Sequence, residues 1–492
     1  MSLFNKTVKA GSWQLASIFS RSILQIVAIA ILARLITPKE FGYVAVAMMV
    51  LGFGEMIVEI GFAPAIIQTK NLTKGITSFC FYASITMGII FVTLNWFASP
   101  FIADFFEAKE TVLVIKVLGF NILITKIGLV SRAMLERDMR FDLIAIADII
   151  AIFIGYSVAI FMAFNGFGVW ALVVNSIIYA VISVLILIYI KPFSIKPIFT
   201  KTDAKNVLTY GGGLTLSRIF NNIALRGDYF VVGKVLGTYA LGIYEKTAHL
   251  MSMPGTYLGN VVDKVLFPGM SQIQNEKKRL SKAYVEVLEF VNVMLIPVSI
   301  FMIVTAEHIV LVLLGDQWKE AILPLKILLI PLALRTSVRA SDCLVRATGF
   351  VYGSAFRKMI YAIFVVAGSY IGSKFWGLPG VAVFINVSVV VNYFLMVFFG
   401  IKIVEGRISD IFVSLKNGLI LGSFVFLVSF LSLRGLKMFF ENSFLILIFE
   451  TVLTGIFVVL VVVKFPAILG RTGLELYKRG TTKLRGLKWM NS

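Results

Sequence analysis

The feature that most limits this chain is a series of apolar runs, each about twenty residues long, recurring from the N-terminus to about Val463. A helix of roughly that length, rising ~1.5 Å per residue, crosses a ~30 Å hydrocarbon core. The runs are continuous, without the alternation and short turns of outer-membrane strands, so they read as helices and not as a barrel. Composition agrees, since 59% of the 492 residues are hydrophobic and only 15% are charged. A water-soluble fold would leave far too much of that apolar surface exposed. The chain reads as an all-α polytopic membrane protein. Lys6 and Lys9 precede an apolar stretch as in a signal peptide, but the stretch continues to about Ile36 with no small-residue cleavage site, so it reads as a retained first helix.

Helices are predicted at about 8–36, 41–68, 76–103, 111–134, 142–164, 167–190, 206–234, 240–268, 284–313, 321–345, 358–375, 378–402, 414–433 and 443–463, fourteen in all. The connections alternate in charge. One set carries Lys70 and Lys74, Arg137 and Arg140, Lys191 to Lys205, Lys277 to Lys282, Arg357 and Lys358, and Lys416. The opposite set is short and acidic or uncharged, as in 103–108 and 165–168. The positive-inside rule places the basic set and both termini in the cytoplasm, which requires an even number of spans. The net charge of +20 is therefore mainly a topology signal, and the basic tail from 467 to 492 is expected to lie against an anionic leaflet. No nucleic-acid partner is expected.

The sequence also repeats. A shift of 200 sets Ile31-Leu-Ala-Arg-Leu-Ile36 on Val231-Val-Gly-Lys-Val-Leu236 and Gly42 on Gly242; a shift of 210 sets Leu113, Lys116 and Leu118 on Leu323, Lys326 and Leu328. Helices one to six thus repeat as seven to twelve. Because six is even, the two halves share an orientation and are expected to be related by a pseudo-two-fold axis along the membrane normal. The expected organisation is a six-helix lobe over 1–195, a second over 196–404, two further transmembrane helices over 405–466, and the tail.

Charged side chains within spanning helices are costly, about 2.5–3.5 kcal/mol each on insertion scales, and usually face a protein interior or a watery cavity. Helix one carries Gln14, Ser17, Arg21 and Gln25 at helical spacing, and helix two carries Glu55 and Glu59 one turn apart. Helix seven is the most polar, with Arg218, Asn222 and Arg226 along one side and Asp228 on a neighbouring face; helix ten carries Arg335, Arg339 and Asp342 on a single face. Lys126 and Asp148 add one charge each to helices four and five. Mid-helix basic residues outnumber nearby acids, and an excess of buried cations calls for an anionic cargo. Arginine presents a planar fork of donors suited to phosphate, so the expected cargo-binding set is Arg21, Gln25, Arg218, Asn222, Arg226, Arg335 and Arg339. Glu55, Glu59, Asp228 and Asp342 read as ion-pair partners or as ion-coupling carboxylates.

Other chemistry finds no pattern. Cys80 and Cys343 lie in apolar segments without CxxC spacing, and His249 and His308 form no HExxH or triad pattern. Gly166-Phe-Gly168 lies between membrane helices and Gly211-Gly-Gly213 lacks the lysine of a P-loop. No catalytic residue, metal site or cofactor is expected.

Several stretches resemble the polysaccharide transporter family of Wzx-type lipid-linked oligosaccharide flippases, in its colanic-acid exporter-like branch, within the multidrug/oligosaccharidyl-lipid/polysaccharide (MOP) exporter superfamily. The resemblance rests on Leu32-Ala-Arg-Leu-Ile-Thr-Pro-Lys-Glu-Phe-Gly42, Ile60-Gly-Phe-Ala-Pro-Ala-Ile-Ile-Gln68, Arg132-Ala-Met-Leu-Glu-Arg-Asp-Met-Arg-Phe141 and Gly166-Phe-Gly-Val-Trp-Ala-Leu172. It continues through Gly227-Asp-Tyr-Phe-Val-Val-Gly233, Phe267-Pro-Gly-Met-Ser271 and Leu314-Gly-Asp-Gln-Trp318. It implies a V-shaped pair of six-helix lobes in the bacterial inner membrane that moves a polyprenyl-diphosphate-linked oligosaccharide to the outer leaflet by alternating access. The implied partners are that lipid-linked sugar, membrane lipids, and a polysaccharide polymerase with other membrane proteins of the same assembly. Two alternatives stand beside it. A drug or organic-ion exporter of the superfamily would favour acidic and aromatic cavity residues, and a polysaccharide polymerase or ligase would need a sizeable external loop.

Overall fold

The computed structural model describes residues 21–474 apart from 59–60, 70, 202, 205–206, 208–214 and 471–472, and leaves the side chains of 56–57, 215–224, 261, 263–268, 351–352 and 355 outside the description. Among the described residues the regular structure is entirely helical. Seven of these helices are long and apolar enough to cross a membrane, or nine if each of two bent pairs is a single span. Fourteen spans therefore remains an expectation, although helical residues occupy every one of the fourteen predicted stretches. The chain divides into two compact units: residues up to Glu245 with Leu313–Gln317, and Lys246–Val312 with Trp318 onward.

In the first unit, helix 21–35 is followed by Pro38–Val58, whose start is a capping box. Glu40 Oε2 accepts from the Thr37 amide (2.9 Å) and Thr37 Oγ1 (2.8 Å), while Pro38 fills a first-turn position that has no amide partner to lose. The same carboxylate reaches further. Its Oε1 accepts from the Val169 amide (3.0 Å) and so caps the helix Val169–Ile190. Gly168, at φ +50°, makes this possible, because a Cβ there would collide with Glu40 Oε1. Thus Thr-Pro-Lys-Glu and Gly-Phe-Gly-Val, two of the stretches that carry the family resemblance, form one joint.

Three predicted helices are interrupted. Stretch 41–68 divides into Pro38–Val58 and Phe62–Gln68 around Gly61, which is left-handed at φ +72°. Stretch 111–134 bends by 45° between Thr111–Ile127 and Leu129–Arg137, and Gly128 at the bend sits against Val184. The third, in the second unit, bends by 51° before Leu332–Thr348, where Pro331 cannot supply an amide to the preceding turn. Arg137 then ties two of the fragments together, its Nη1 donating to the carbonyls of Ile66 (2.8 Å) and Thr69 (2.6 Å) at the open end of Phe62–Gln68.

The repeat has a direct structural counterpart in this unit. Gly42 and Gly242 meet where Pro38–Val58 crosses the start of Gly237–Gln272. A Cβ on Gly42 would fall on the carbonyl oxygen of Thr238, and a Cβ on Gly242 would fall on that of Pro38. The contact is reciprocal, residue for residue, under the shift of 200. Only glycine allows backbones this close.

In the second unit, Ser409–Phe439 packs on Lys277–Leu313 through Gly418 and Gly422; a Cβ on Gly418 would lie 2.6 Å from Asn292 O. Asn292 is fully buried and bridges, donating to Ser414 O (3.3 Å) and accepting from Ser337 Oγ (3.2 Å). Val351–Ile403 is two helices joined at Trp376–Gly377, with Gly377 at φ +62°, as the separate predicted stretches 358–375 and 378–402 require. Tyr284, Tyr393, Leu344 and Val397 belong to the core of this unit.

Candidate cargo-binding site

Asp148, one of the lone charges of the apolar helix Phe141–Phe164, is 1% exposed and gathers four partners. Arg21 Nη1 lies 3.0 Å from its Oδ2, and the Arg132 guanidinium is 3.4 Å from both carboxylate oxygens. Tyr179 Oη (3.2 Å) and Ser183 Oγ (3.3 Å) donate to Oδ1. Arg132 also sits 3.5 Å from Glu136. Two arginines and two acids therefore neutralise one another, and Arg21 enters the site as an ion-pair partner of Asp148 whose side chain is still 35% exposed. Arg132, Tyr179 and Ser183 had been passed over as site residues. Asp148 was their signal, because a charge inside an apolar run must find partners.

Helix Thr215–Val235 behaves differently. Arg226 is partly buried and lies across Gly52 of Pro38–Val58, its Nε 3.1 Å from where a Cβ would be. It forms no ion pair with any described residue. Asp228, two residues on, is 8% exposed and accepts from Tyr244 Oη at 2.6 Å. Gln25 is partly buried and Glu55 is exposed. Glu59 and the side chains of Arg218 and Asn222 lie outside the described residues.

In the second unit, Arg335 and Arg339 sit on the strongly amphipathic helix Leu332–Thr348. Gly255 and Gly259 of Gly237–Gln272 leave room for this helix, with Thr336 opposite the first and the Arg339 side chain lying along the second. Asp342 pairs with Lys358 at 3.0 Å, a partner the sequence did not suggest. Arg335 is partly buried and, like Arg226, forms no ion pair with a described residue. Asp148 and Asp342 are thus neutralised by cations and Asp228 accepts from a hydroxyl, and each unit keeps an arginine, Arg226 or Arg335, with no counter-charge among the described residues. A partly dry arginine of this kind favours an anion with several acceptor oxygens.

The family described as "Polysaccharide biosynthesis protein" matches residues 31–323. The chain belongs to this family. Among its relatives, the succinoglycan biosynthesis transport protein ExoT of Rhizobium meliloti is 27% identical over 310 residues, 63% of either chain. The lipopolysaccharide biosynthesis protein WzxC of Escherichia coli is 23% identical over 413 residues, 82% of this chain and 83% of that one. Among solved structures, the lipid II flippase MurJ in an inward closed conformation superposes with a TM-score of 0.72 at 17% identity, covering 92% of this chain and 98% of its own. An inward-facing MATE-family multidrug transporter of the MOP superfamily gives 0.65 at 17% identity, covering 78% of this chain and 94% of its own. The fold is that of the MOP transporters.

For a member of the polysaccharide biosynthesis family, one apolar cavity among the described residues is informative. Met49, Phe53, Phe101, Phe105 and Phe230 line an apolar space of about 320 Å³ in the first unit. At its rim Lys234 pairs with Glu107 (2.9 Å) and stands 5.0 Å from the centre of the Phe105 ring. Such a space suits a hydrocarbon chain and not a sugar.

Proposed function

We propose that this protein translocates a polyprenyl-diphosphate-linked oligosaccharide from the cytoplasmic to the outer leaflet of a bacterial inner membrane, for surface polysaccharide synthesis, with both termini in the cytoplasm. The observation that carries the reading is that Arg226 and Arg335 form no ion pair among the described residues after Asp148, Asp228 and Asp342 have taken partners. Family membership supplies the biological context, and the names of the relatives support transport and not catalysis.

On this reading each unit offers its own cations to the diphosphate, Arg226 with Gln25, Arg218 and Asn222 in the first and Arg335 with Arg339 in the second, and the polyprenyl chain stays among lipid tails. The organisation into lobes at 1–195 and 196–404 belongs to the same proposal, as does alternating access. Outward movement of two negative charges is favoured by an inside-negative potential, at about 2.3 kcal/mol per charge per 100 mV, so the export step does not require an ion gradient. A cation exporter of the same fold is disfavoured, because the charges this reading rests on, Arg226 and Arg335, are positive.

The test is translocation of lipid-linked oligosaccharide in proteoliposomes. The Arg226→Ala, Arg335→Ala double variant should fold and lose transport at least tenfold. Transport at the wild-type rate by that variant would remove the phosphate-binding role.

A further inference from the structure

The helix Ser443–Lys464 carries one acid in an otherwise apolar sequence, and no expectation singled it out. Glu450 lies seven residues from the start of the helix, about 10 Å along it, and is 0% exposed. Its partners are all hydroxyls. Ser432 of Ser409–Phe439 lies 2.8 Å from Oε2 and 3.0 Å from Oε1, and Thr454, one turn on, lies 3.2 Å from Oε1. Thr454 in turn meets Ser429 at 3.0 Å.

Cations are accounted for elsewhere on every element packed against it. On Ser409–Phe439, the Arg434 guanidinium lies over the Phe430 ring at 4.4 Å, Lys437 pairs with Glu307 at 3.1 Å, and Lys416 is exposed. Asp410, on the same helix, accepts from the Arg407 amide (3.1 Å). His308 of Lys277–Leu313 meets Ser443, not Glu450, at 3.1 Å. The 3-10 turn Pro466–Leu469 has no charge, and Glu441 and Lys464 lie at the ends of the helix, both exposed.

The hydrogen bonds can be counted in protons. Four pairings lie within 3.2 Å: Ser432 with Val428 O (2.7 Å), Ser432 with Glu450, Thr454 with Glu450, and Ser429 with Thr454. Ser429, Ser432 and Thr454 bring three hydroxyl protons. A carbonyl oxygen only accepts, so if Ser432 donates to Val428 it has none left for Glu450. With one proton to each pairing, making all four at once needs a fourth proton, and of these groups only the Glu450 carboxyl can hold it. An ionised carboxylate here would also be a buried charge with no counter-charge among the described residues, which apolar surroundings strongly disfavour.

We propose that Glu450 is a proton-binding site: a neutral carboxylic acid at ordinary pH that clasps the two C-terminal helices through Ser432, Thr454 and Ser429. Its ligand is the proton. Removing the proton leaves Ser432 to choose between Val428 O and Glu450, and puts a bare charge at the helix contact, so the pair loosens. The sign follows from linkage, since the folded protein holds a proton here that the unfolded chain releases, and rising pH therefore weakens the clasp. The site stands whether or not the cargo is the one proposed above, because it involves neither Arg226 nor Arg335.

The experiment compares the full-length wild type with Glu450→Gln, which keeps the shape and the donor but cannot ionise. Infrared spectra at neutral pH should show a protonated-carboxyl carbonyl band that shifts in heavy water and is lost in Glu450→Gln. The unfolding midpoint of the wild type should fall relative to that of the variant as pH rises. If Glu450→Gln fails to fold, the wild-type band and its displacement by Ser432→Ala carry the test alone. Absence of the band, parallel midpoints at all pH values, or a stabilisation by sodium ions that depends on Glu450 would overturn the assignment.

Discussion

Arg21 and Arg132 share one buried acid, so replacing them should be strongly non-additive. Asp148 is 1% exposed, whereas the side chains of Arg21 and Arg132 are 35% and 41% exposed. Arg21→Ala leaves Arg132, Tyr179 and Ser183 on the carboxylate and removes a side chain that water already reaches. Its cost should be that of a half-exposed pair, about 1 kcal/mol or less, and Arg132→Ala should behave alike. The double variant strands an unpaired charge in the interior, a change that typically costs about 3–5 kcal/mol. The coupling should therefore be roughly 1–3 kcal/mol beyond the sum of the single effects. Unfolding equilibria of the four proteins in one detergent at one pH measure it directly. Additivity within about 0.5 kcal/mol would refute the shared-acid account. The same series separates stability from transport: if Arg21→Ala is nearly as stable as the wild type yet fails to move cargo, Arg21 touches the cargo as well as Asp148.

Four further outcomes are expected. Gly42→Ala or Gly242→Ala should destabilise the protein by at least about 1–3 kcal/mol, read as a lower unfolding midpoint, because each methyl meets backbone that cannot rotate away. Gly377→Ala should cost about 1–3 kcal/mol through its positive φ alone, since nothing lies within 4 Å of the added carbon. Glu40→Gln should weaken two helix starts at once, seen as faster amide exchange at both Thr37 and Val169. Hydrogen bonds from the Thr200 amide and hydroxyl hold the Asp203 carboxyl below its ordinary 3.8. This depressed group stabilises its turn fully above 3.8 and loses that contribution as pH falls through the lowered value; protection of the Thr200 amide in acid reports it, and Asp203→Asn should abolish the pH dependence.

The helices were legible because lipid imposes a length and an apolarity that any spanning segment must show. Their interruptions were not. Gly61 and Gly128 are ordinary residues of apolar runs until the fold turns the first left-handed, at φ +72°, and lays the second against Val184. The excess of basic residues was also legible, since it is a matter of composition along a few helices. Which cations remain uncompensated was not, because Arg21 and Asp148 are 127 residues apart and Asp342 finds its counter-charge on another helix. Glu450 escaped notice for the opposite reason. A single acid among leucines and phenylalanines gives no pattern until two serines and a threonine are brought against it.

The crossing of Gly42 with Gly242 has a consequence for how such a chain can change. Two halves of a repeated sequence ordinarily drift apart wherever each position answers to its own surroundings. Here the repeated position answers to its own copy, because each glycine is the surface against which the other half's chain is laid. A side chain gained on either half would push both helices apart, and no substitution in the other half could make room, since what it meets, the carbonyls of Thr238 and Pro38, is backbone that every residue carries. The spot where the two copies match is thus the one at which neither can diverge alone.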